Sequence, residues 1–276
     1  MASEKKEMSN LQQRVISGVI GGAVFIGAIW FNEWTFFLIF LLLTLFGLRE
    51  FYRLLREKAY EPNEPVGVGL GVLLFISAFL VQMELVQEEL LFLFLPLTAL
   101  VLIFELFRQK PQPFTNIALT LLGVLYIAGS FSLLPLLVLM PDGSYTWQVL
   151  LGMLLLIWMS DSGAYFVGKN FGKRKILERV SPGKSWEGWI GGTVFSLVLA
   201  WGLSYWFTVL PLWQWLVVAV LVSVFGVLGD LVESLLKRSL GVKDSGTLIP
   251  GHGGILDRFD SLLMIIPFVV AFLKIF

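Results

Sequence analysis

The 276-residue chain is 57% apolar and 14% charged, where soluble domains carry about 25% charge, and its mean hydropathy is +0.83. A water-soluble globule is excluded. Twenty basic and twenty acidic residues cancel, so bulk charge nominates no partner and nucleic acid is not expected among them. With no cysteine and the single histidine His252, disulfides, thiolate metal sites, cysteine nucleophiles and two-histidine zinc motifs are excluded as well.

Taken in chain order, the apolar runs predict nine membrane spans, near 15–31, 34–48, 66–81, 90–107, 117–140, 147–168, 186–208, 212–236 and 259–276. Residues 1–10 are polar. The run after Arg14 is too long for a signal-peptide core and no small-residue cleavage pattern follows it, so it is read as a retained span. The second run is short and continues into REFYRLLRE, where Arg49, Arg53 and Arg56 share one helical face; it reads as an interfacial extension. Gly18/Gly22 and Gly188/Gly192 stand at helix-packing spacing. Whether such contacts lie within one chain or between two copies of a homodimer is open at this point. No internal repeat is visible, which disfavours transporters built from two related halves.

Lysine and arginine orient these spans. The ten segments outside and between them hold 3, 0, 4, 0, 2, 0, 6, 0, 4 and 1 basic residues, in order. Every second segment is basic, which places the N-terminus in the cytoplasm and the C-terminus outside. The expected fold is therefore an all-α, polytopic integral membrane protein of about nine transmembrane helices in the cell (plasma or inner) membrane, among membrane lipids. Residues 1–150 read as scaffold helices and as the place for any oligomer contacts; residues 151–276 carry a polar region that faces the cytoplasm.

Three stretches supply that region: Ser160–Tyr165 late in span six, the loop 169–188, and span eight from Gly229 into the run 234–260. Asp161 lies eight residues before Lys169, roughly 12 Å at helical rise, and Asp230 lies seven before Lys237, roughly 10 Å. Both are below the interface, where an ionisable group costs about 2.5–3.5 kcal/mol and normally faces a protein interior or a wet cavity. Asp230, Glu233, Ser234 and Lys237 share one helical face. Asp257 and Asp260 stand at the mouth of span nine. Asp230, Asp257 and a bound phosphate would make an oxygen-rich site suited to magnesium.

The loop 169–185 holds six Lys/Arg against the one acid Glu178. Anionic lipid headgroups and a phosphate-rich ligand are equal readings of it. Gly183-Lys184-Ser185 is not a nucleotide P-loop, because position 178 would have to be glycine. Ser185 reads instead as the N-cap of span seven, whose exposed N-terminus can hold an anion. Pro250-Gly251-His252-Gly253-Gly254 is a bare backbone loop whose N–H groups can cradle phosphate; His252 in it reads more readily as a local hydrogen-bonding group than as a catalyst.

These residues carry a resemblance. The stretch 234–260, with Lys237-Arg238, Lys243-Asp244, His252-Gly253-Gly254 and Asp257-Arg258-Phe259-Asp260, resembles the signature of phosphatidate cytidylyltransferases; the upstream SDSGAY, SPGKSWEG and GDLVES elements are similar to that family too. Together they cover about residues 155–262. The resemblance implies transfer of CMP from CTP to phosphatidic acid, giving CDP-diacylglycerol and pyrophosphate, with Mg2+ and with a second cation such as K+ sharing the site. It implies Asp230 and Asp257 as metal ligands and catalytic residues, with Lys237, Arg238 and Asp161 beside them. Lys184, Ser185, Glu187, Lys243, Asp244, His252, Arg258 and Asp260 are implied in substrate binding. The rivals are a CTP-dependent lipid kinase and, outside the enzymes, a transporter. A CDP-alcohol phosphotransferase is disfavoured because its Asp-Gly-x-x-Ala-Arg run is absent.

Overall fold

The computed structural model describes residues 10–58, 60–140, 142–246 and 253–276, with side chains from residue 18 onward. Among the described residues the chain forms nine helical segments. They are α1 (Asn10–Phe31), α2 (Glu33–Arg56), α3 (Glu64–Gln82), α4 (Glu88–Arg108), α5 (Pro113–Val138), α6 (Gln148–Phe171), α7 (Trp186–Trp206), α8 (Leu212–Ser239) and α9 (Leu256–Ile275). The fold is all-α and polytopic, as the hydropathy requires. Seven of the segments, α2 to α8, are long and apolar enough to cross a membrane. In α1 the apolar stretch Gly18–Phe31 is shorter, and α9 carries Asp257, Arg258 and Asp260 in its opening turns.

Local chemistry sets the joints. The turn between α1 and α2 is tight because Asn32 caps α2: its Oδ1 accepts from Thr35 N at 2.8 Å and Trp34 N at 3.0 Å, while Thr35 Oγ1 accepts from Asn32 N at 3.3 Å. α5 is irregular, relaxing into a π-turn over Val124–Gly129 and breaking before Pro135. The loop 169–185 is not wholly irregular: it folds as a short antiparallel hairpin, β1 (Lys175–Leu177) and β2 (Ser181–Ser185), with Lys175 opposite Ser185 and Leu177 opposite Ser181.

The main core cluster draws Ile29, Phe36 and Tyr52 from the first half and Met153, Trp215 and Ile266 from the second, and a smaller one joins Leu70, Val101, Ile117 and Val124. Large apolar side chains on the outside, such as Phe104, Phe107, Trp201 and Trp206, are exposed and make the surface a bilayer solvates.

The REFYRLLRE run extends α2 as a continuous helix, with Phe51, Tyr52, Leu54 and Leu55 buried in protein and Arg49, Arg53 and Arg56 outside. Tyr52 enters the notch between Gly67 and Gly123, where any Cβ would collide with its ring, and its hydroxyl donates to the Thr120 carbonyl at 2.7 Å. The glycine pairs differ. Gly188 and Gly192 bring α7 against α6: a Cβ at Gly188 would come within 2.9 Å of the Ala164 carbonyl, and one at Gly192 within 3.2 Å of Ala164 Cβ. Among the described residues a Cβ at Gly22 meets nothing within 4 Å.

Gly192→Leu should therefore wedge α6 from α7, at the usual overpacking cost of about 1–3 kcal/mol. Thermal unfolding in detergent should show a lowered midpoint, whereas Gly202→Leu, at a position with open space, should melt like the parent protein.

Candidate active site

α8 presents Asp230, Glu233 and Lys237 along one face, and α9 crosses that face closely. Gly229 allows the crossing, because a Cβ there would stand 2.7 Å from the Asp260 carbonyl oxygen and 2.9 Å from Met264 Cβ. The result is a gathering of carboxylates. Asp230, Glu233 and Asp260 each offer an oxygen, all within 4.8 Å of one another. Glu233 is 2% exposed at its side chain, and Lys237 Nζ lies 2.5 Å from its Oε2; neither Glu233 oxygen has a hydrogen bond of good geometry. Asp230 pairs with Lys184, which β2 carries across from the hairpin.

Asp257 sits differently. Lys237 Nζ donates to its Oδ1 at 2.7 Å, and its Oδ2 accepts from Gly254 N at 2.8 Å and Ser245 N at 3.0 Å, with Ser245 Oγ also 3.0 Å away. Gly253 has φ +83°, and a Cβ on it would fall 2.8 Å from Asp257 Oδ2, so only glycine fits there. Both Asp257 oxygens are thus already met by protein donors. Asp230 and Asp257 are the metal ligands expected from sequence; the carboxylates that stand within reach of one shared cation are Asp230, Glu233 and Asp260. Asp257 joins them through Lys237.

Two cavities meet at this cluster. One, of about 380 Å³, is the more polar of the two and is lined by Asp161, Lys184, Ser185, Asp230, Asp257 and Asp260, with Tyr165 and Trp189 as walls. The other, of about 510 Å³, is mainly apolar and runs along α1, bounded by Gly18, Gly22, Phe25, Leu154 and Trp158. Asp161, Asp257, Asp260 and Ser261 line both. The ends of the two cavities therefore share one carboxylate wall.

The remaining expected residues fall in several places. Ser185 is the N-cap of α7, its Oγ accepting from Gly188 N at 3.2 Å. Glu187 stands outside both linings and is occupied with the hairpin, accepting from Lys173 N at 3.0 Å and Arg174 N at 3.2 Å. Arg238 is exposed and donates to the Val242 carbonyl at 3.2 Å, closing the turn after α8. Lys243 and Asp244 are exposed on that turn and line neither cavity. Arg258 lines the apolar cavity. His252 lies outside the described residues. Two buried groups beyond the expected set belong to the constellation: Glu233 and, from α2, Glu50. The first is flagged by the polar face of α8. The second is flagged by an acid on the apolar side of a membrane helix, one turn from Gly47 and Leu54.

Residues 12–276 match the cytidylyltransferase family. The chain belongs to that family. A phosphatidate cytidylyltransferase of Bacillus subtilis (strain 168) is 34% identical over 270 residues, which cover 98% of this chain and 100% of that protein. One of Synechocystis sp. (strain ATCC 27184 / PCC 6803 / Kazusa) is 33% identical over 287 residues, covering 94% and 95%. One of Haemophilus influenzae (strain ATCC 51907 / DSM 11121 / KW20 / Rd) is 50% identical over 125 residues, covering 44% of this chain and 43% of that protein. This cytidylyltransferase is a nucleotidyltransferase, and it is a multi-pass membrane protein.

Lys237 is the cation that Glu233 and Asp257 share. Lys237→Met should leave both carboxylates without it and destabilise the cytidylyltransferase by about 3–5 kcal/mol. A melting curve in detergent reads this directly; an unchanged midpoint would mean that water, not Lys237, compensates the two acids.

Proposed function

We propose that this cytidylyltransferase moves the CMP unit of CTP onto phosphatidic acid at the cytoplasmic face of the cell membrane, forming CDP-diacylglycerol and pyrophosphate with Mg2+ present. One observation carries the reading: a polar cavity and an apolar cavity share the wall built by Asp161, Asp257 and Asp260. A reaction that joins a water-borne nucleotide to a membrane-borne phosphate needs those two approaches to one point. The names of the relatives support the same substrates.

The charge around the polar cavity suits a triphosphate. Ile176, Gly183 and Lys184 bring the basic hairpin to its rim. Ser185 and Gly188 bring the N-terminus of the long helix α7, a positive end that attracts anions. The alternation of basic and non-basic loops supports a cytoplasmic mouth for the same cavity.

In the proposed step a phosphate oxygen of the lipid attacks the α-phosphorus of CTP. The new P–O bond forms as the bond from that phosphorus to the bridging oxygen breaks, and the electron pair leaves with pyrophosphate. The nucleophile is already anionic near neutral pH, so no strong base is required, which fits a chain with one histidine and no cysteine. What the site must supply is relief of anion–anion repulsion and neutralisation of the leaving group. Asp230, Glu233 and Asp260 fit a hard divalent cation: their oxygens converge within 4.8 Å, and buried Glu233, ion-paired with Lys237, has no hydrogen bond of good geometry at either oxygen. A bound Mg2+ would supply Lewis-acid stabilisation of phosphoryl charge. Lys184 stands where it can exchange its pairing with Asp230 for a phosphate, and Lys237 holds Glu233 and Asp257 in place.

The test uses purified protein with phosphatidate, Mg2+ and CTP labelled at either the α- or the γ-phosphorus. Label should enter lipid from the α position only, with γ label released in pyrophosphate. Lipid labelled from the γ position would make the protein a CTP-dependent lipid kinase instead. Asp230→Asn should reduce transfer to background while the protein remains folded. Gly22→Leu fills apolar space at a position that tolerates a side chain; it should raise KM for long-chain phosphatidate several-fold and leave KM for CTP unchanged.

A further inference from the structure

We propose that Glu50, on a helix far from the signature run in sequence, is a positioning residue of the transfer reaction: it fastens both sides of the approach to α9 and thereby sets the Asp257 carboxylate. The inference rests on the cytidylyl-transfer reading above.

Glu50 lies in α2, 9% exposed. Its Oε2 accepts from Ile255 N at 2.9 Å. Its Oε1 accepts from Leu256 N at 2.9 Å and from Ser245 Oγ at 2.5 Å. Helix α9 begins with Ile255 as its first flanking residue, and no side chain of its own caps it. The opening N–H groups of a helix need acceptors, and a carboxylate is the strongest side-chain group for that end because it also meets the positive pole of the helix. Here the acceptor comes from another helix, about 200 residues away in sequence.

The backbone is shaped around this carboxylate. A Cβ at Gly246 would stand 3.0 Å from Glu50 Cδ, and one at Gly254 would collide with Glu50 Oε1 and Ser245 Oγ. Two glycines within the run that joins α8 to α9 thus admit the same buried acid.

The link to the site is short. Ser245 Oγ stands between Glu50 Oε1 at 2.5 Å and Asp257 Oδ2 at 3.0 Å. A hydroxyl has one proton to donate, and the shorter contact takes it, so Ser245 is tied to Glu50. Asp257 then depends on Ser245 N, Gly254 N and Lys237. The first belongs to the residue that Glu50 holds by its hydroxyl. The second precedes the residue whose N–H Glu50 accepts. Moving Glu50 therefore moves the donors that orient Asp257, which lines both cavities.

Glu50→Gln keeps the size of the side chain but leaves one acceptor oxygen for three donors, and it points an NH2 group at the others. Two readouts on the full-length protein in lipid nanodiscs test the proposal. Hydrogen–deuterium exchange should lose protection over 245–246 and 253–258 and keep it in α3, α6 and α7. In steady-state assays kcat should fall on the order of 10–100-fold, the range seen when an orienting partner is removed, while KM for CTP and for phosphatidate changes less than about threefold. Ser245→Ala should show a smaller loss, and the double variant should be no slower than Glu50→Gln alone, because the two residues act in series. Unchanged kcat, additive losses in the double variant, or loss of protection spread over all helices would overturn it, the last by making Glu50 a general stability residue. Should Glu50→Gln yield no folded protein, Ser245→Ala carries the same exchange and kcat test. A parent protein that transfers no CMP would sink the reaction reading alone; the exchange measurement would still decide whether Glu50 holds this run.

Discussion

Five carboxylates, those of Asp161, Asp230, Glu233, Asp257 and Asp260, converge where α6, α8 and α9 meet in a chain that is otherwise apolar. Each would cost about 2.5–3.5 kcal/mol in a bilayer if left uncompensated. Much of the local structure answers that constraint. Lys237 is placed between Glu233 and Asp257, Lys184 reaches Asp230 from the hairpin, and backbone N–H groups of Ser245 and Gly254 turn toward Asp257. Gly229 and Gly253 remove the side chains that would hold these groups apart. Even so, Glu233 is compensated by the Lys237 charge without a hydrogen bond of good geometry at either buried oxygen. Stability alone would favour apolar residues at such a position, so the cluster is better explained by what it binds than by what it stabilises.

The two cavities give that explanation a direction. An acid cluster sealed inside a protein would serve as a structural knot. This one is open on a polar side, beside a basic hairpin and the N-terminus of α7, and on an apolar side, beside α1 and Trp158. In the proposed reaction the nucleotide and the lipid arrive by different routes and neither has to leave its own solvent fully. The low dielectric of the surroundings strengthens each fixed charge that acts on the phosphates. Gly22, where a Cβ would meet nothing within 4 Å among the described residues, is explained by the same arrangement as a residue that leaves room.

Sequence pattern reached the fold because membrane helices obey a simple rule: every backbone polar group must be satisfied internally, so apolar length translates into helices. The predicted runs overlap the described helical segments, seven of which are long and apolar enough to cross a membrane. The acids of α8 and α9 were equally legible, since a charge at depth needs a reason. Other features were not. The burial of the α2 end depends on Tyr52 entering a notch made by Gly67 and Gly123, a contact among three separate helices that no local period encodes. The hairpin arises from a five-residue strand without alternating apolar residues. The difference between Asp230, near two other acids, and Asp257, already surrounded by donors, depends on how α8 crosses α9. Glu50 belongs to residues 1–150, which look like a generic scaffold, and its role appears only when α2 is seen beside the start of α9.

The central claim is that the apolar cavity along α1 receives the lipid while the polar cavity receives the nucleotide. Photolabelling with phosphatidate that carries a diazirine in its acyl chain tests it most directly, with labelled peptides identified by mass spectrometry. The account predicts crosslinks at Gly18–Phe25 of α1 and around Leu154 and Trp158 of α6, competed by unlabelled phosphatidate and retained when CTP saturates the protein. Crosslinks concentrated at Tyr165 and Trp189 and displaced by CTP would contradict it, because lipid and nucleotide would then share one cavity.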